Sequence, residues 1–406
     1  MLELVCPSVH TALGPATAKL RRFWGLERVL STNDNTADSK ERSDHRHHAL
    51  DAIVLACTRQ SHIQMLSTAS ARQRNIEKPI HLPWNSFRQD VMDALAGCIV
   101  VHHRRDRVLT RRRVHVTIGT TTRTYRSIVA CGQLHKETFY GLHTDPETGK
   151  QFYHVRVPLQ ELKKRKDVEE IVDPTIRRLV QQRIEELGGY RNDAVPNTFF
   201  ETTPEGSPKP TIFLPNRRGD MVPVYKVRTR RTISNAIPHR KGTNRYVDPS
   251  NNHHAIIYRL PNGALELNVV QFWEAVQRKL RGEPLYQVPP NCELVMTLHI
   301  NDMVLLGCTD ELLERIWQNY PPQERGREIM PYLHKVQKLS YSKNSGFELC
   351  FRHHTDARPS EEAKHDYVLI RNWGTGKQGW YTYNPIKIRI TPSGLCFRWD
   401  ESSATS

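Results

Sequence analysis

Paired cysteines are missing from this chain. Its eight cysteines (Cys6, Cys57, Cys98, Cys131, Cys292, Cys308, Cys350 and Cys396) stand singly, with no CxxC anywhere. That argues against a structural zinc site and against a disulfide framework, and reduced thiols in a cytoplasm are the expected state. Long apolar runs are also lacking. None approaches the roughly 20 residues needed to span a bilayer, so no membrane partner is expected. The opening Met1–Pro7 has neither a basic start nor a long apolar stretch, so a secretory leader is not expected. There is no internal repeat and no low-complexity block. Acids are few relative to bases: 43 Asp and Glu face 59 Lys and Arg, a formal charge of +16 over 406 residues. Such a balance points to a polyanionic partner, and the length leaves room for two or three domains.

The run that organises the rest is Asp44-His45-Arg46-His47-His48-Ala49-Leu50-Asp51-Ala52-Ile53-Val54-Leu55-Ala56-Cys57. From Ala49 it reads as a buried helix, apolar nearly all round, with His48 and Asp51 three residues apart on one face. An uncompensated carboxylate in such a setting costs several kcal/mol or takes up a proton. A hard divalent cation such as magnesium would compensate it. A His–Asp pair satisfied within the core would do so equally.

The whole run resembles, almost letter for letter, the third RuvC motif of the type II CRISPR RNA-guided DNA endonucleases, the Cas-nine family. Ala18-Lys-Leu-Arg-Arg-Phe-Trp-Gly-Leu26 is similar to the LRxxWGL element that precedes that motif, and suits a short amphipathic segment capped by Gly25. Ser31 to Ser43 reads as a polar loop. A long helix is expected from Ala49 to about Ala71. After Pro79 and Pro83, Phe87, Val91, Met92 and Leu95 repeat at helical spacing. Residues 1–97 are taken as the nuclease remnant.

From Val100 the character changes. Arg104, Arg105, Arg107, Arg111, Arg112, Arg113, Arg123 and Arg126 are opposed only by Asp106, and Val114-His-Val116-Thr-Ile118 alternates as a strand does. A solvated charged hairpin would look the same, but guanidinium forks match phosphate geometry, so phosphate contact is expected of Arg104, Arg105, Arg111, Arg112 and Arg113. Gly132-Gln-Leu-His-Lys-Glu-Thr-Phe-Tyr-Gly141 resembles the RGxLHxETxYG segment of the same endonucleases, in the wedge region beside the loop that holds the target-strand phosphate. Cys131 stands where the family has Arg, which leaves Lys136 as the nearest cation.

Thr144 to Gly149 signals a hairpin turn between Phe139-Tyr140 and Phe152 to Val157, and Asp173-Pro174 reads as the cap and first residue of a helix ended by Gly188-Gly189. Pro196 to Pro215 reads as loop. Pro223 to Arg231 reads as a strand with Lys226, Arg228 and Arg230 on one face. His253 and His254 invite a metal reading, but nothing nearby in the sequence completes a site. They are expected to be hydrogen-bonded turn residues. Asn252-His-His through Tyr258, followed by Phe272-Trp-Glu-Ala-Val-Gln-Arg-Lys279, is similar to the wedge domain of type II-C members. Residues 98–288 are therefore taken as a wedge-like domain. Residues 289–406, short β runs with one helix near Asp310 to Trp317, are taken as the region that reads the protospacer-adjacent motif (PAM).

The fold class expected is α+β: a remnant of an RNase H-like (RuvC) domain followed by β-rich wedge and PAM-interacting domains. By the resemblance, Asp51 ligates a metal and His48 activates water or assists at the metal, with Mg2+ or Mn2+ bound only in a completed site. His45 and His47 pack or hydrogen-bond. The partners implied are a guide RNA, target DNA and the missing N-terminal portion of the endonuclease, in antiviral defence. The first two RuvC motifs and the HNH domain have no counterpart here, so a truncated or split protein, inactive as a nuclease alone, is expected. A non-catalytic basic module that binds nucleic acid, or the product of a decayed gene, is the alternative.

Overall fold

The computed structural model describes residues 12, 14–30, 43–72, 80–196, 200–202, 208–210, 212–216, 218–233, 236–240, 242–249, 251–342, 346–363 and 365–399. The fold is α+β, in two compact units. One joins residues 1–107, 252–270 and 284–406; the other holds 108–251 and 271–283. The loop expected at Ser31 to Ser43 lies, up to residue 42, outside the described residues.

In the first unit four helices precede the strands: α1 (Gly14–Phe23), α2 (His47–Ala56), α3 (Gln60–Ala71) and α4 (Phe87–Ala96). Helix α1 ends in a Schellman turn. Gly25 N–H donates to the Arg22 carbonyl and Leu26 N–H to that of Arg21, both at 3.0 Å, with Gly25 at φ +67°. This turn brings Leu20, Trp24 and Leu26 into a core with Leu50, Val54, Leu66, Phe87, Val91 and Leu95. The single long helix expected from Ala49 to Ala71 is in fact two. The break falls at Cys57-Thr58-Arg59, where Arg59 is extended (φ −102°, ψ 155°) and the His62 ring accepts its backbone N–H. Helix α2 is also less buried than its composition implies: Leu50 and Val54 are inside, but Leu55 is 49% exposed.

The second unit begins with a long hairpin, β1 (Leu109–Ile118) and β2 (Thr121–Ala130), exposed along most of both faces. A three-stranded antiparallel sheet follows, ordered β3 (Leu142–Thr144), β4 (Gln151–Pro158), β5 (Lys226–Arg231). Its first strand starts at Leu142 rather than at Phe139. Val157 and Val227 turn inward against α5 (Pro174–Glu186), which presents Val180 and Ile184. The Asp173 carboxylate caps α5 as expected, accepting from Thr175 and Ile176 N–H at 2.8 and 3.1 Å. Part of 196–215 is strand rather than loop, including Phe213–Pro215 paired with Met221–Pro223. The unit is completed by α6 (Phe272–Leu280).

The strands of the first unit form two sheets. The smaller is ordered β7 (Leu265–Gln271), β6 (Asn252–Arg259), β8 (Glu293–His299); an Asn262-Gly263 turn joins its first two strands. The larger runs β12 (Val368–Ile370), β11 (Gly346–His353), β10 (Leu333–Ser342), β9 (Met303–Leu305), β13 (Ile386–Ile390), β14 (Cys396–Arg398). Ala255, Ile257, Leu298, Val336, Leu349 and Phe351 share one core. Helix α7 (Asp310–Asn319) covers a second core with Leu313 and Ile316 and is capped by Thr309. The short β runs of the sequence fall on β8, β9, β10, β12 and β13; β11, buried along both faces, is not among them.

Candidate nuclease remnant and basic surfaces

The start of α2 is fastened before the helix begins. His45 N–H donates to the Thr355 carbonyl and Ala357 N–H to that of Ser43, both at 2.7 Å. The Asp44 carboxylate binds the Arg46 guanidinium at 2.6 Å, and Arg46 Nη1 reaches the Leu95 carbonyl at 3.2 Å. His45 packs edge-on against His102 (centroids 4.8 Å apart), and the buried Lys335 ammonium lies 3.4 Å from His45 Nε2 and 3.2 Å from His102 Nε2. Burial first, and then the Lys335 charge, push the His45 imidazole down to about 4. His45 therefore hydrogen-bonds in the packed seam, and the His47 ring lies against that of His48, tilted by 40° with ring centres 3.9 Å apart.

His48 is exposed, and Asp51, one turn further along α2, is half-buried. The cation that compensates Asp51 is a side chain. Arg21 of α1, 8% exposed, donates from Nη1 to Asp51 Oδ1 at 2.6 Å. Sequence spacing could not show this, because the partner lies thirty residues upstream on another helix. An imidazole and a carboxylate on one helix fit one edge of a magnesium or manganese site. A divalent ion at Asp51 must share that carboxylate with Arg21 or displace it.

The arginines fall into two groups. Arg105, Arg111, Arg112, Arg113, Arg123 and Arg126 are exposed. The hairpin Leu109–Ala130 contains no acidic residue, and register sets Arg113 directly opposite Arg126. On the sheet β3–β4–β5, Arg228 likewise faces Arg156, with Lys226 and Arg230 exposed on the same strand. Like charges directly opposite in a ladder oppose each other. No carboxylate pairs with Arg113, Arg126, Arg156 or Arg228 among the described residues. An external polyanion would relieve both pairs. Beside Arg228, the His143 and His154 rings stack at 3.9 Å, and Arg230 lies over Phe152 at 5.0 Å. Arg156, His143 and His154 escape a sequence reading, since only strand register sets Arg156 opposite Arg228, His154 opposite Arg230 and His143 opposite Phe152.

Other expected contacts are already engaged. Lys136 binds Asp248 at 2.8 Å, and Arg230 lies 3.5 Å from Asp145. Arg104 turns inward. It reaches Asp302 at 3.1 Å and His299 Nδ1 at 2.8 Å, and stacks over Trp399 at 4.8 Å. His253 and His254 are not turn residues. They open β6 and are buried, and ladder pairing puts His299 opposite His254. Among the described residues no helix is long and apolar enough to cross a membrane.

No curated protein matches the chain. Among solved structures, Cas9 of Streptococcus thermophilus in complex with the AGAA PAM aligns with 95% of this chain at 13% identity and a TM-score of 0.45. The type II-C Cas9 of Actinomyces naeslundii aligns with 96% at 14% identity and 0.42. Cas9 of Corynebacterium diphtheriae, in complex with sgRNA and target DNA, aligns with 90% at 15% identity and 0.38. The chain spans 34%, 40% and 41% of those proteins respectively. Residues 1–109 match the family model described as RuvC endonuclease subdomain 3. Over the stretch that contains His48 and Asp51, this chain therefore matches the third subdomain of a RuvC endonuclease, in agreement with the resemblance carried by Asp44 to Ala52.

Proposed function

We propose that this chain is the C-terminal part of a type II RNA-guided DNA endonuclease. In this reading α2 contributes His48 and Asp51 to a two-metal RuvC site, while the basic faces of the second unit hold guide RNA and target DNA. The observation that carries it is the match of residues 1–109 to RuvC subdomain 3. Phe23, Leu55, Trp84 and Met92, each 41–49% exposed on this helical layer, suit cover by the missing N-terminal portion. Bound magnesium or manganese supplies an activated water and charge stabilisation at the scissile phosphate. Asp51 would hold such an ion, and His48 would accept a proton from the attacking water or serve as a further ligand. Residues 98–288 serve as the wedge and 289–406 as the PAM reader, in a cytoplasmic antiviral role.

The test is complementation. Alone, the chain is expected not to cut DNA with either metal. Joined to an N-terminal portion bearing the first two RuvC motifs, an HNH domain and a guide, it should cut the displaced strand. Asp51→Ala should abolish that cut and spare the guide-paired strand. Loss of both cuts together with target binding would overturn the catalytic role of Asp51.

The Arg21–Asp51 pair favours a second reading, in which Asp51 is a structural anion in a non-catalytic, nucleic-acid-binding module. There the completed assembly binds target, but neither His48→Ala nor Asp51→Ala alters cleavage of either strand.

A further inference from the structure

Three buried imidazoles converge on β6 and β8. His254 lies directly opposite His299 across the β6–β8 ladder, their rings stacked at 4.9 Å and 13°. His253 Nδ1 is 2.7 Å from His254 Nδ1, and its ring stands 5.1 Å from that of His299. One nitrogen from each lies within 4.8 Å of the others. All three residues are 5% exposed or less.

We propose that His253, His254 and His299 bind a transition-metal cation of the class that prefers imidazole nitrogen, with zinc or cobalt(II) as its probes. Nothing in the proposed nuclease role requires this site, and it stands independently of that reading.

The hydrogen bonding supports it. His253 Nε2 faces the Asp106 carbonyl at 3.2 Å, so Nε2 carries the proton and Nδ1 presents a lone pair to the cluster. An N–H held by a carbonyl is how ligating histidines are usually oriented. His254 then donates from Nδ1 to His253 Nδ1, a bond that opens when His253 ligates, and its own fully buried Nε2 is a lone pair without a partner. The other tautomer leaves a buried N–H unmet and sets two lone pairs 2.7 Å apart. No tautomer of His254 is satisfied by the protein alone; a Lewis-acidic cation accepts the surplus pair. Tetrahedral nitrogens about 2.0–2.1 Å from an ion stand about 3.4 Å apart, so the trio closes with shifts of about an ångström.

The surroundings set a cost. Asp302 is clasped by Arg104 at 3.1 Å and Lys387 at 3.0 Å, and both cations repel a metal ion. Arg104 also donates to His299 Nδ1 at 2.8 Å, which leaves the proton on Nε2. For Nε2 to ligate, Nδ1 must take the proton and give it to Asp302, whose Oδ2 lies 3.6 Å away, as Arg104 lets go. Arg104 therefore competes with the cation, and that competition can be measured.

The experiment uses the full chain, stripped with a chelator and titrated with Co2+ by visible spectroscopy and with Zn2+ by calorimetry. One ion per chain is expected, with the ligand-field bands of a low-symmetry nitrogen site. His254→Gln or His299→Gln should weaken binding at least tenfold, and Asp51→Asn should leave it unchanged. Arg104→Met should tighten it about tenfold. Folded protein that takes up no ion, an ion retained at full affinity by His299→Gln, or an ion lost in Asp51→Asn would each overturn the site. If the histidine variants do not fold, Arg104→Met decides: affinity unchanged or weakened there counts against it.

Discussion

Asp44 and Asp356 face each other across an isolated antiparallel bridge, yet neither carboxylate touches the other. Asp44 is taken by Arg46 at 2.6 Å; Asp356 is taken by Arg352 at 2.9 Å and Arg358 at 3.0 Å. Two hydrogen bonds of 2.7 Å close the bridge, so the residues just before α2 are held as an added strand segment on the turn after β11. The front of the Asp44–Ala52 run is thus a fastening, and its rear carries His48 and Asp51. The Asp356 carboxyl is held far below the usual carboxylate range by hydrogen bonds from Arg358 and Arg352, against the effect of burial. Asp356→Asn should therefore destabilise the first unit by about 1–3 kcal/mol, the range for removing the acceptor of charged, partly buried hydrogen bonds. Urea unfolding of the variant measures this, and hydrogen exchange at the start of α2 should speed up with it. Unchanged exchange there would mean the bridge does not fix the helix.

The Arg21–Asp51 pair makes a prediction separate from catalysis. Arg21→Met leaves a half-buried carboxylate without its nearest cation. The expected loss, about 1–3 kcal/mol, lies between that of exposed and fully buried pairs. Adding Asp51→Asn should restore part of it. A double variant no more stable than Arg21→Met alone would show that Arg21 acts through packing instead.

The hairpin predicts opposite signs for stability and binding. Arg126→Glu places a carboxylate opposite Arg113. It should stabilise the hairpin by about 0.2–1 kcal/mol while weakening affinity for nucleic acid. Replacing Arg111, Arg112 and Arg113 together with Ala should reduce the slope of log K against log salt by up to about 3. Arg104→Met should leave that slope unchanged, because its guanidinium faces Asp302 and Trp399. A filter-binding salt series on the four proteins checks the affinities and slopes, and a thermal melt of Arg126→Glu checks the sign of the stability change.

Acid should loosen the first unit before its carboxylates titrate. His354 Nδ1 accepts the Val100 N–H at 3.1 Å and so must be unprotonated. Burial, then His353, Arg46, His334 and His102, hold it down to about 3. His334 is held to about 4 by burial and His353, against the Tyr332 carbonyl that favours its charged form. Both folded values lie below the ordinary 6.5. The unfolded chain therefore binds protons first as pH falls. The stabilisation is complete above pH 6.5 and is lost progressively between there and the folded values. Urea midpoints should fall from neutral pH to pH about 4.5, and less so in His334→Gln. Equal falls in the two proteins would remove His334 from this account.

Gly25→Ala meets both a left-handed backbone and a neighbour. At φ +67° a side chain is strained by about 1–2 kcal/mol. Its Cβ would also sit 2.9 Å from the Arg88 guanidinium, whose Nε donates to the Trp24 carbonyl at 2.7 Å. A thermal melt well below that of the parent protein is expected.

What could be read from the sequence was local. Asp173 announces a helix because a cap acts within three residues, and Gly25 marks the end of α1 for the same reason. The basic face of β5 follows from a period of two. The break at Cys57-Thr58-Arg59 was hidden because no glycine or proline marks it. Arg21 beside Asp51, Arg104 beneath Trp399, Arg156 facing Arg228 and His299 facing His254 are all non-local. Each requires a register or a packing partner that composition does not encode.

The interleaving of the two units also bears on how the protein is made. Residues 14–107 share a unit with strands that begin at 252 and resume at 284. The ribosome therefore releases α1 to α4 well before Thr355 and Asp356 exist to receive Ser43 to His45. At ~5–20 residues per second the delay is roughly 15–60 s. Throughout that interval Phe23, Leu55, Trp84 and Met92 stand on a layer that also lacks its seam to β10 and β11. Nascent helices in that state are natural clients for a holdase chaperone, and a synonymous-codon slowdown near the C-terminus would lengthen their exposure without altering a single side chain.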